Sequence, residues 1–142
     1  HTHKSWERRG CKELYSRFTP KTRVVAFGFH PQVLDMACSV QSYYDITGSG
    51  GDVYLVKKLA YFEEYLKWAG TEYIYVQAGY LADQPRATQI IEDMIAEGTL
   101  RDLTFEWGNM LAKVDLDHPF KEPDERLVQL FRDNYSMEKN GN

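Results

Sequence analysis

Cysteine is scarce in this chain: Cys11 and Cys38 are the only two in 142 residues. Their spacing fits no metal-binding or thiol-redox pattern, so they read either as two thiols or as one bridge, and not as a disulfide framework. No uninterrupted apolar run reaches the ~18 residues that a bilayer-spanning helix needs, and no secretory signal is recognisable. The chain as it stands reads as soluble, and a soluble piece of a larger membrane protein would read the same way. Positive charge is not in excess either, since 17 Lys and Arg face 21 Asp and Glu for a formal net charge of -4. With no overall field to draw phosphates, nucleic acid is not an expected partner. No Ser lies in G-x-S-x-G, no H-E-x-x-H is present, and the phosphate-loop ending is missing, which removes the usual hydrolase, protease and nucleotide-binding signatures.

What is present suits one globular domain spanning 1–142. A chain of this length can remove roughly two thirds of its unfolded surface from water, and its 43% hydrophobic and 27% charged residues argue against disorder. Ten tyrosines supply amphipathic surface for a core, a ligand platform or the face of a homodimer. Charge is segregated along the chain. Lys4, Arg8, Arg9, Lys12, Arg17, Lys21 and Arg23 make the start basic while the remainder is acidic. Residues 1–21 therefore form a basic amphipathic lead-in. As a solvated helix face it needs no partner; beside a membrane, each Lys or Arg contributes on the order of 1 kcal/mol toward anionic headgroups.

The organising stretch is Glu72–Gly98. It reads as a strand over Glu72–Gln77, a loop over Ala78–Asp83, and a helix beginning near Pro85 with Asp83 as its cap. Ala87, Ile90, Ile91, Met94 and Ile95 give that helix one buried face, and Gly98 stands where a left-handed C-terminal cap belongs. Upstream, Ser5–Phe18 has modest helical character, and the apolar, β-branched run Thr22–Phe29 predicts a strand covered on both sides. His30-Pro31 breaks it. Two readings are open from Gln32 to Ile46: a short helix followed by a strand at Tyr43–Ile46, which is preferred, or one irregular strand over Ala37–Ile46. Thr47–Gly51 is a flexible loop and Asp52 an N-cap. The helix Val53–Ala69 then carries an apolar stripe and ends at Gly70, so strand, helix and strand imply a right-handed crossover.

Downstream, Leu100–Trp107 and Met110–Leu116 read as a hairpin turning at Trp107-Gly108-Asn109, with Gly and Asn taking the positive φ. Asp124 opens a last helix with Leu127, Val128, Phe131 and Tyr135 inward, and residues 137–142 form a polar, disordered tail. The expected fold class is α/β: a small three-layer sheet, parallel at its centre with an antiparallel edge hairpin, and helices packed on both faces.

In open α/β sheets ligands sit beyond the carboxyl ends of the strands. That rim would hold His30, Gln32 and Asp35 after the first strand, and Gln77, Tyr80 and Asp83 after the central one. A histidine and two carboxylates brought together could do acid–base work or hold a metal, whereas Asp35 and Asp83 acting as helix caps would be structural. His30, Asp35, Gln77, Tyr80 and Asp83 are thus the candidate ligand-binding set; no catalytic residue is assigned, and no metal or cofactor is expected. Asp115, Asp117 and His118 look like part of a metal cluster but read better as a solvated turn. Gly48-Ser-Gly-Gly51 before a helix suggests a phosphate cradle, yet Asp52 would repel the anion and a plain connection is favoured.

Several stretches carry a family resemblance: Arg-Val-Val-Ala-Phe-Gly, a long helix ending Lys-Trp-Ala-Gly, Glu-Tyr-Ile-Tyr-Val, and Ile-Glu-Asp-Met-Ile-Ala-Glu-Gly-Thr-Leu with its hairpin. In this order, from about Tyr15 to Leu116, the chain resembles the soluble extracytoplasmic domains that follow the last transmembrane helix of polytopic membrane glycosyltransferases. The resemblance implies a non-catalytic accessory domain on the extracytoplasmic face of a membrane, because the catalytic carboxylate of such enzymes lies in the membrane part. Its implied partners are the rest of a membrane protein, the membrane surface through the basic lead-in, or a glycan. The residues alone leave two rivals: a free-standing cytosolic α/β protein that binds or hydrolyses a small ligand, and a homodimeric interaction module.

Overall fold

The computed structural model describes residues 22–28, 41–43 and 59–138. Its elements run β1 (Arg23–Phe27), β2 (Gln41–Tyr43), α1 (Leu59–Ala69), β3 (Tyr73–Val76), a short 3-10 turn (Tyr80–Asp83), α2 (Pro85–Glu97), β4 (Leu100–Glu106), β5 (Asn109–Val114) and α3 (Glu125–Asn134). Among the described residues the strands form one open mixed sheet in the order β2-β1-β3-β5-β4. β1 pairs in parallel with both β2 and β3, while β5 pairs antiparallel with β3 and with β4. The fold is a small α/β fold, parallel on one side of β3 and antiparallel on the other.

The register explains the composition of β1. Val25, Ile74 and Ala112 stand in one row and Phe27, Val76 and Met110 in the next, because side chains alternate between the faces of a strand. These rows belong to one apolar cluster with Phe62 and Leu66 of α1, Ile90, Ile91, Met94 and Ile95 of α2, and Val128 and Phe131 of α3. Phe27 meets Phe62 edge to face at 5.7 Å. The alternate row, Ala26, Tyr75 and Leu111, points the other way and is buried as well, as is Val24. A strand covered on both sides has no reason to carry charge, and the middle of β1 carries none.

Local signals set the element ends. Gly70 closes α1 at φ 64°. Gly98 closes α2 at φ 83°, with its own amide donating to Ile95 and that of Thr99 to Met94 at 3.0 Å, the pattern that satisfies the orphan carbonyls of a helix end. Phe120 lies over Gly98 so closely that a Cβ there would stand 2.7 Å from its ring. At α3 the Asp124 carboxylate accepts from the Arg126 amide at 3.0 Å, and Arg126 in turn holds that carboxyl below its usual range. Arg132 and Glu92 tie α3 to α2 through paired 2.9 Å hydrogen bonds.

Three expectations need correction. The cap position of α2 is Gln84, whose side chain makes no cap bond, and Asp83 ends the 3-10 turn instead; Pro85 needs no amide partner, and Thr88 Oγ1 donates back to Gln84 O at 2.7 Å. In the hairpin the positive φ values fall on Trp107 (53°) and Gly108 (80°), while Asn109 already belongs to β5. A two-residue turn with both φ positive matches the twist of its strands, and that need overrides the poor fit of a tryptophan. The second strand is Gln41–Tyr43 and begins before Tyr43. The helix expected just ahead of it, the Gly48–Gly51 loop, residues 53–58 of the long helix, and Cys11 and Cys38 lie outside the described residues.

Candidate functional site

The strand order locates the crevice. The chain leaves β1 for β2 on one side and returns through α1 to β3 on the other, so the connections diverge at the carboxyl ends of β1 and β3. Gly28 and Gln77 meet there. The Gln77 amide donates to Phe27 O at 2.8 Å, and a Cβ on Gly28 would come within 2.9 Å of Gln77 Oε1. Glycine lets the amide side chain lie against β1.

Beyond Gln77 the loop could offer its amides to an anion or a carbonyl, but each is engaged within the fold. The Ala78 amide donates to Asn109 Oδ1 at 2.8 Å and that of Leu81 to the Tyr135 hydroxyl at 3.1 Å. Those of Gly79, Tyr80 and Ala82 donate to Ser136 O, Gln77 O and Gly79 O. The Tyr135 hydroxyl donates in turn to Gln77 O at 2.6 Å, and burial, partly offset by the amides that face the oxygen, pushes its pKa up to about 12. The Ser136 amide donates to Gly108 O at 3.0 Å. The loop, the hairpin turn and the segment after α3 thus form one closed backbone junction. It leaves no backbone amide of residues 77–82 to cradle a ligand.

Of the candidate set, His30 and Asp35 lie outside the described residues. Gln77 is half-buried at the rim, Tyr80 is 7% exposed and part of the apolar core, and Asp83 is exposed at the end of the 3-10 turn. Asn109, Tyr135 and Ser136 organise this rim, and sequence reasoning missed their part in it. An Asn after Gly reads as a turn residue and a Tyr at a helix end as core; only the meeting of strand, loop and C-terminal segment makes them partners.

At the opposite end of the sheet a shallow cleft of about 190 Å3 is lined by Leu66, Lys67, Gly70, Thr71 and residues Val114–Asp117. Thr71 Oγ1 is buried there without a hydrogen-bond partner. Asp115 belongs to a small ion network: His118 Nδ1 lies 3.0 Å from its carboxylate and Arg101 3.7 Å away. The His118 hydrogen bond, with the nearby Arg101 guanidinium, holds the Asp115 carboxyl below its usual range. Arg101 also donates to His118 O and to Gly98 O and lies over the Phe120 ring. A carboxylate occupied in this way braces a turn, and among the described residues no group of three or more His, Cys, Asp or Glu side chains is placed to hold a metal. No helix among the described residues is long and apolar enough to cross a membrane.

No protein-family model, curated protein or solved structure matches this chain.

Proposed function

We propose that the chain is a non-catalytic accessory domain of a larger membrane protein of glycosyltransferase type, on the extracytoplasmic face, contacting the membrane portion or the glycan acceptor. The observation that carries this reading is the closed junction at the carboxyl end of β3. A small-ligand enzyme would keep donors free where the connections diverge, and here the amides of residues 77–82 serve the fold itself. The stretches that resemble the family's domains supply β1, the end of α1, β3, α2 and the hairpin in the same order, which supports a shared plan. In that plan the sheet has three layers, a parallel unit centred on β1 and helices on both faces. Burial of Val24, Ala26 and Leu111 on the face turned away from the α1, α2 and α3 cluster supports the second covering layer.

Determining the gene sequence upstream of residue 1 tests the reading. Several hydrophobic helices are expected there, with the basic lead-in following the last of them. A short reading frame that begins near His1 would refute it.

A further inference from the structure

Asn134-Tyr135-Ser136 is the one place in residues 1–142 where an asparagine is followed by a residue other than proline and then by Ser or Thr. That triplet is the acceptor pattern for N-linked glycans, which oligosaccharyl transferases add outside the cytoplasm. Three residues recur by chance, so where the fold puts them decides whether the pattern can serve. Asn134 is the last residue of α3 and is exposed. Its side chain bends back along the helix, with Nδ2 donating to Leu130 O at 2.8 Å. Nδ2 carries two hydrogens and this bond uses one, so a sugar can replace the other while the bond stays. Residues four apart are neighbours on a helix surface, and Leu130 is a large apolar side chain left 42% exposed. A first sugar on Asn134 would stand beside Leu130 and shield apolar surface that the described residues leave in water.

The other two residues of the triplet are turned inward. Tyr135 is buried, with its hydroxyl between the Leu81 amide and Gln77 O. Ser136 is half-buried; its amide donates to Gly108 O and its carbonyl accepts from the Gly79 amide. Its hydroxyl accepts from the Glu138 amide at 3.2 Å. A transferase must hold the asparagine amide and the hydroxyl two residues on in one site, and a chain pinned between them by the junction cannot bend into it. We propose that Asn134 is an N-glycosylation site, filled before the junction closes and carried outward by the end of α3, given the reading that this domain is extracytoplasmic. The donor is a lipid-pyrophosphate-linked oligosaccharide. The Asn134 nitrogen forms the bond to C1 of the first sugar, the bond from C1 to the pyrophosphate oxygen breaks, and one Nδ2 proton is released, with no oxidation or reduction.

The test is mass spectrometry of the tryptic peptide Asp133–Lys139 from the protein recovered from the cells that make it, treated in heavy-oxygen water with an amidase that removes N-linked glycans. A heavy-oxygen label at Asn134 is expected. The 142-residue chain routed with a leader through a secretory compartment should gain the mass of one glycan. Asn134→Gln and Ser136→Ala should each abolish that gain, and Ser136→Thr, which keeps the hydroxyl, should retain it. Ser136→Ala keeps the backbone bonds of the junction, so an unchanged melting temperature separates loss of the acceptor from misfolding. The bare chain, already folded, should stay bare when purified transferase and donor are added. Equal modification of the folded chain would overturn the stated order of events. A routed chain that stays bare while a control acceptor in the same cells is glycosylated overturns the site. An unlabelled Asn134 in native protein that protease reaches from outside the membrane overturns the site and leaves the extracytoplasmic reading standing. An unlabelled Asn134 in protein found in the cytosol overturns both.

Discussion

Removing one oxygen at Tyr135 tests whether the closed junction holds the rim of the sheet. In Tyr135→Phe the ring remains and its stacking on Phe131, at 5.2 Å between centroids, is preserved. Two hydrogen bonds disappear. Gln77 O keeps the Tyr80 amide as a donor at 3.1 Å, but the buried Leu81 amide loses the acceptor it has in Tyr135. An orphaned buried amide costs roughly 1 to 3 kcal/mol, so the substitution should destabilise the chain by about 2 kcal/mol and lower the melting temperature by about 4 to 8 °C for a protein of this size. The pH dependence gives a second readout. A tyrosine in the unfolded chain ionises near pH 10, whereas in the fold Tyr135 ionises at about 12. A raised value means that the folded state favours the neutral phenol, so this contribution is complete below pH ~10 and is lost as pH climbs toward ~12, by about 3 kcal/mol in all. Urea unfolding of both proteins at neutral pH and near pH 11.5 should show a gap at neutral pH that shrinks in alkali. Equal stability at neutral pH, or a gap that does not change with pH, would refute the assignment of the phenol as a buried bridge.

Three further outcomes follow from the geometry. Asn109→Ala strands the Ala78 amide and frees Glu106 O. It should cost about 2 kcal/mol in urea unfolding, whereas Asn109→Asp, which keeps the acceptor, should cost less. Gly98→Ala meets both a left-handed backbone and the Phe120 ring, and a loss of about 2 kcal/mol is expected; adding Phe120→Ala should recover the steric part and not the backbone part. Burial, followed by the charge of Asp93, raises the Glu97 carboxyl above its usual range, and burial, followed by the charge of Glu97, raises that of Glu63. A raised carboxyl disfavours the folded state once ionised. Glu97→Gln should therefore stabilise the chain at neutral pH by about half a kcal/mol after solvent screening, and the gain should fade below pH ~4, as a series of thermal melts across pH would show.

The stretch from Glu72 to Gly98 was legible because its signals are local. Val76 and Ile74 alternate with tyrosines, Ile90, Ile91, Met94 and Ile95 recur at helical spacing, and Gly98 can adopt a conformation that other residues resist. Asp124 and the inward stripe of α3 were legible for the same reason. The partners of the loop after β3 were not. Gln77, Tyr80 and Asp83 follow a central strand, but the groups that engage this loop's amides come from far along the chain. Asn109 lies 31 positions from Ala78 and Tyr135 lies 54 from Leu81, distances over which periodicity and turn chemistry carry no information.

The sequence by itself determined the α/β class, the span of α2 from Pro85 to its Gly98 cap, the start of α3, the presence of the hairpin, and a basic lead-in joined to an acidic remainder. These depend on the spacing of apolar side chains, on backbone freedom at single residues, and on summed charge. Tertiary structure alone decided that β3 is parallel to one neighbour and antiparallel to the other, and that the amides after β3 are consumed by Asn109, Tyr135 and Ser136. It also decided that Arg23, at the start of β1, donates to the carbonyl of Ala69 at the end of α1. Each of these is a meeting of segments distant in sequence, and only the packed chain brings them within hydrogen-bonding reach.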